Sequence, residues 1–84
     1  MRLAQYVKFR EEKFGGVLFE TRSEKVYTLN PTAAAVLREI QAGSTEAEIR
    51  DRLKDRYAAE DSGIIDREIG TLIADLRSKG LVED

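Results

Sequence analysis

The chain has 84 residues, of which 36% are charged, with a formal net charge of −2. It holds neither cysteine nor histidine, which excludes disulfides and thiolate chemistry and leaves any zinc site with carboxylates alone. The near-balanced charge describes a solvated surface of mixed sign, not a polyanion binder.

Acid–base work would fall to carboxylates, lysine or tyrosine. The expectation is therefore a non-enzyme with no catalytic residue, no metal and no cofactor. Residues 1–84 are expected to form a single domain. Residues 1–30 carry six basic and four acidic side chains, and residues 31–84 carry eight basic and twelve acidic. No stretch is apolar enough to span a bilayer, and Met1 to Arg10 has no signal-peptide core. The expected location is cytoplasmic, away from membranes.

Leu3 to Glu11 opens with an alternation of Val7, Phe9 and Glu11 against Tyr6, Lys8 and Arg10, the pattern of a half-buried strand. Lys13-Phe14-Gly15-Gly16 breaks it at a turn or bulge. A second strand is expected from about Val17 to Thr21 and a third from about Lys25 to Leu29, joined by polar Arg22-Ser23-Glu24. Short connections make an antiparallel meander, with the third strand at its edge.

Asn30 reads as an N-cap and Pro31 as the first helical residue. The first helix runs to about Gln41 on a stripe of Ala33, Val36, Leu37 and Ile40, and stops at Ala42-Gly43. Thr45 and Glu48 form a capping box that starts a second helix, Glu46 to about Tyr57. Its narrow apolar face is Ile49, Leu53 and Tyr57, helped by Ala47. Its charged face is expected to be held by local pairs. Ala58 to Gly63 connects, with Asp61 or Ser62 able to cap a third helix from about Ile64 to Lys79. Ile65, Ile69, Leu72, Ile73 and Leu76 are its stripe, and Gly80 ends it. Leu81 and Val82 fold back onto the core, and Glu83-Asp84 fray.

This order is that of an α+β winged helix-turn-helix: an N-terminal three-stranded antiparallel sheet followed by three helices. Three functional readings compete. As a DNA-recognition element, the third helix would present Asp66, Arg67, Glu68, Asp75, Arg77 and Lys79, whose balanced signs suit phosphates badly. The acidic pairs Glu11-Glu12, Glu60-Asp61 and Glu83-Asp84 have no partner at telling spacing and read as surface charge. The third reading is the strand edge. From Lys25 to Leu29 only the first residue is charged and no proline intervenes, so the edge is poorly blunted. Such an edge accepts an extended peptide by strand addition. A third helix beside it would supply a groove from Leu72, Leu76 and the stems of Arg67 and Lys79. Otherwise the C-terminal tail covers the edge, or a second copy pairs with it.

Leu29-Asn30-Pro31-Thr32-Ala33-Ala34-Ala35-Val36-Leu37 resembles the strand-to-helix junction of the PqqD-like family, the small peptide-modification chaperones also called RiPP recognition elements. Thr45-Glu46-Ala47-Glu48-Ile49 resembles the family's second-helix start, and Leu76 through Gly80-Leu81-Val82 its closing segment. Phe14-Gly15-Gly16-Val17-Leu18-Phe19 resembles the first hairpin of members that serve radical SAM maturases. Members of the quinone-cofactor pathway have a Pro-Glu-rich hairpin and an aspartate-glycine after the first helix. Here the chain reads Thr21-Arg22-Ser23-Glu24 and Ala42-Gly43 instead.

The resemblance implies that the leader segment of a ribosomally synthesised precursor peptide adds to the third strand and is presented to a modifying enzyme, a radical SAM maturase. It implies a peptide-binding surface of Lys25, Val26, Tyr27 and Thr28 on the strand with Leu72, Asp75, Leu76 and Lys79 on the helix. Nucleic acid is not an expected partner, although a winged-helix nucleic-acid-binding regulator is the alternative. A homodimer through the open edge is compatible with either.

Overall fold

Asn30 and Pro31 fix where the sheet stops and the helices begin. The Asn30 backbone is extended, its side-chain oxygen accepts a hydrogen bond from the Ala33 amide at 2.8 Å, and Pro31 takes the first helical position. In the computed structural model, which describes residues 1–57 and 62–84, five strands and three helices follow in order. They are β1 (Arg2–Leu3), β2 (Val7–Glu12), β3 (Gly15–Glu20), β4 (Lys25–Leu29), α1 (Pro31–Gln41), α2 (Glu46–Arg56), α3 (Ser62–Ser78) and β5 (Val82–Glu83). The expected caps of the third helix, Asp61 and the Ser62 side chain, and the Glu60-Asp61 pair lie outside the described residues.

The three-stranded antiparallel sheet has the order β2-β3-β4, as the meander required. Its inner face sets Val7, Leu18 and Leu29 against the helices, and all three are buried. Helix α1 buries Ala34, Ala35, Val36, Leu37 and Ile40, a broader face than the expected stripe, while Ala33 is only half-buried. The small alanines let α1 lie close to β3. Gly15 serves the same end at the sheet's far corner. Its φ is +143°, and a Cβ there would lie 2.2 Å from the Leu29 carbonyl oxygen. Only glycine lets β3 begin against the β4–α1 corner.

The capping box of α2 forms as read. The Glu48 amide donates to Thr45 Oγ1 at 3.2 Å, and the Thr45 amide donates to Glu48 Oε1 at 2.8 Å. Ile49 and Leu53 are its buried residues, whereas Ala47 faces solvent and adds nothing to the core. Gly43, at φ +86°, ends α1 in the left-handed conformation.

Three expectations fail for identifiable reasons. The first strand is two pieces: the Val7 amide bonds back to the Ala4 carbonyl, so the chain turns between β1 and β2. The alternation starts only at Tyr6, and nothing before it marked the turn through Gln5 and Tyr6. The charged face of α2 is not held by local pairs alone. Arg50 and Lys54 both reach Asp66 on α3, and Arg52 reaches Glu39 on α1. The last residues do not fray. β5 pairs antiparallel with β1, setting Arg2 opposite Glu83 and Leu3 opposite Val82. Arg77 holds Asp84 at 2.8 Å, and Tyr6 donates its hydroxyl to the Gly80 carbonyl.

Candidate functional site

The β3–β4 hairpin presents the site, and a buried carboxylate shapes it. Glu20 accepts from the Arg22 amide at 2.8 Å, the Ser23 amide at 3.0 Å and the Ser23 hydroxyl. The Ser23 hydroxyl, with the two amides, holds its carboxyl below the usual glutamate range. Glu24 completes the turn with φ +60°. Arg22 then lays its guanidinium over the Tyr6 ring, 3.5 Å from the centroid, and Thr21 bonds the Tyr6 carbonyl through both its amide and its hydroxyl. The turn is thus tied to the chain before β2, and β4 leaves it on a fixed line.

β4 pairs only with β3, from Glu20↔Lys25 to Gly16↔Leu29. Among the described residues no strand pairs with its other side. The C-terminal tail, the competing cover for this edge, pairs with β1 instead. Half of the β4 amides and carbonyls therefore point away from the sheet without a ladder partner. Tyr27 and Leu29 turn inward, while Val26 and Thr28 turn outward.

Beneath the edge, α3 and β4 enclose a cleft of about 230 Å³. Tyr27 lines it from the strand, Thr28 borders it although its side chain turns to the outer face, and Leu72, Asp75 and Leu76 line it from α3, with Lys79 just past the helix end. Leu72, Asp75 and Leu76 share one face of α3 at i, i+3 and i+4, and Lys79, one residue past its end, continues that line. Asp75 and Lys79 pair at 2.6 Å, and the Lys79 ammonium stands 5.8 Å from the centre of the Tyr27 ring. That cation bridges the mouth of the cleft, drawn to both a carboxylate and an aromatic face.

The structure thus brings together six of the eight residues expected at this surface. Lys25 and Val26 lie outside the cleft: Lys25 sits by the hairpin tip with Glu24, and Val26 faces the opposite side of the sheet. Leu76 is only 3% exposed, so it forms the floor and belongs to the core. Arg67 contributes no wall here. It lines a separate, wider groove of about 800 Å³ between α1 and α3. Sequence reasoning missed Leu18, Leu29, Asn30, Ala33 and Leu81, which complete the cleft. Leu81 carried a signal, because an apolar residue just past the helix-ending glycine packs back onto the helix end.

The basic groups at the C-terminal end of α3 and just past it are committed. Arg77 bonds Glu46 and Asp84, and Lys79 bonds Asp75. Asp66 is claimed by Lys54 and then by Arg50, which hold its carboxyl below its ordinary value. Among the described residues no group of three or more acidic, histidine or cysteine side chains can hold a metal, and no helix is long and apolar enough to cross a membrane.

Two solved structures superpose closely. One, described as lasso peptide synthetase B1 complexed with the leader peptide, is 25% identical, with a TM-score of 0.81 over 99% of this chain and 96% of that one. The other, TbiB1 in complex with the TbiA(beta) leader peptide, is 19% identical, with a TM-score of 0.86 over 99% and 95%, a likeness of fold. No curated protein matches the chain. The family model for coenzyme PQQ synthesis protein D (PqqD) matches residues 15–82, from the start of β3 through α3 to β5. The chain belongs to the PqqD family of RiPP recognition elements.

Proposed function

We propose that this protein binds the leader segment of a ribosomally synthesised precursor peptide as a fourth strand on β4, and holds it for a modifying enzyme, a radical SAM maturase. The single observation that carries this is the unpaired edge of β4 standing over an apolar cleft. An arriving strand gains main-chain hydrogen bonds from the edge. Every second side chain then points down toward Tyr27, Leu72 and Leu76. Residues 1–84 act as one docking domain. The neighbour described as complexed with a leader peptide supports this choice of ligand.

The protein itself makes and breaks no bond. Its contribution is effective concentration: a tethered leader keeps the remainder of the precursor near the partner enzyme's site. The commitment of Arg77 and Lys79, at and just past the end of α3, leaves little positive charge there for phosphates, which favours a peptide over nucleic acid. The cytoplasm, where precursor and maturase would meet, is the proposed location.

The test is titration of ¹⁵N-labelled protein with synthetic leader segments of any short precursor peptide encoded near this gene. Saturable amide shifts at Val26, Tyr27 and Thr28 are expected. Unchanged shifts there at saturating peptide would refute the reading. Because the same edge can pair with a second copy, the titration is run at several protein concentrations, and a concentration-dependent mass without peptide would reveal that dimer.

A further inference from the structure

The face of the sheet turned away from the buried Val7, Leu18 and Leu29 leaves Lys8, Arg10, Val26 and Thr28 exposed. By register, Lys8, Phe19 and Val26 form one row across it, and Arg10, Val17 and Thr28 the next. Val26 is 57% exposed, an unusual state for a large apolar residue on an edge strand. It stands directly beside Phe19, whose ring is half-buried and backed by the Arg10 guanidinium 5.5 Å from its centroid. Val17 beside them is buried although it turns away from the helices. The outer face thus carries an apolar ledge that ends, at Val26, on the open side of β4.

Strand geometry dictates what meets this ledge. A peptide added to β4 points alternate side chains to the cleft and to the outer face. The side chain beside Tyr27 enters the cleft, and the one beside Val26 lies against the ledge at cross-strand distance, about 4.5–5.5 Å between Cβ atoms. We infer that the Val26–Phe19 ledge is a second specificity subsite, so that the recognised segment carries apolar side chains at adjacent positions rather than in strict alternation. A strand bound only through the cleft would be apolar at every second residue and polar between. Here both faces reward an apolar group. This rests on the strand-addition reading, and its occupant is the same peptide.

The test uses a display library of random twelve-residue peptides, selected against the intact protein and against Val26→Thr and Val26→Lys. Both replacements sit on an exposed position where the fold asks for no apolar group, and Thr keeps the β-branched shape. Selection on the unaltered protein is expected to enrich neighbouring apolar pairs. A peptide so selected should bind Val26→Thr about two- to fivefold more weakly, the range of one cross-strand pair. On Val26→Lys the outward position should turn acidic while the inward one stays apolar. Alternating peptides from all three proteins, bound equally well, would overturn the subsite and leave strand addition standing. No enrichment on any of the three, with folding verified, would remove both.

Discussion

Glu20 shows how much one side chain contributes to placing the site. Its carboxylate accepts three donors from the turn it precedes, and the chain there depends on those bonds. Its folded-state pKa is depressed, so its stabilisation is complete above the unfolded value and fades as pH falls through the folded one. Melting temperature should hold from neutral pH down to the ordinary carboxylate range, about pH 4, and fall below it. Glu20→Gln should be less stable at pH 7 and lose part of that acid slope, as thermal melts across pH would record. Gly15 is the second sensitive point. In Gly15→Ala the new methyl meets the backbone of Leu29 and Asn30, which cannot yield without moving the end of β4. The expected cost is about 2 kcal/mol or more, read by urea denaturation. Neither role was legible beforehand. Phe14-Gly15-Gly16 announced a turn, but the contact that forbids a side chain comes from residues far along the chain. Glu20 carried no mark that set it apart from other strand-end acids.

Among the elements, those with local stop and start signals were legible almost to the residue. Asn30-Pro31 and Gly43 bound α1, and Thr45 with Glu48 opens α2. These signals work through bonds within four residues, so no tertiary knowledge is needed. Thr45→Ala should lower stability by about 1 kcal/mol, visible as a lower urea midpoint with an unchanged slope. β1 and β5 are two residues each, too short for any periodicity to declare them. The candidate cleft was legible on its helical side because Leu72, Asp75 and Leu76 share a helix face, and Lys79 continues its line, whatever the fold. On the strand side, alternation separates Val26 from Tyr27, and a contiguous stretch of strand obscured that. The distinction decides which substitution is informative. Leu76→Ala empties a core position and should cost about 2–5 kcal/mol of stability. Leu72 is half-buried, so Leu72→Ala should weaken leader binding in calorimetric titration while shifting the melting temperature far less.

Across the whole molecule, ion pairs tie the helices together, with Asp66 taking Lys54 and Arg50 from α2 and Glu46 taking Arg77 from α3. Half-exposed pairs of this kind contribute about 0–1 kcal/mol each, so added salt should weaken the fold only slightly. The apolar tail matters more. Leu81 and Val82 are 2% and 8% exposed, and Leu81 also closes one end of the cleft. Deleting residues 81–84 should lower the melting temperature and open the cleft at the same time, whereas deleting 83 and 84 alone should affect neither strongly.

The pairing of β1 with β5 sets Arg2 opposite Glu83, with a hydrogen bond between their side chains. Met1 and Asp84 thus lie close together, and a short glycine-serine bridge could link them within residues 1–84. The molecule could then be cut open elsewhere, at the Ala42-Gly43 corner for instance, where a methyl added to Gly43 meets nothing within 4 Å. Such a rewired circle should refold around the same interior and keep β4 uncovered.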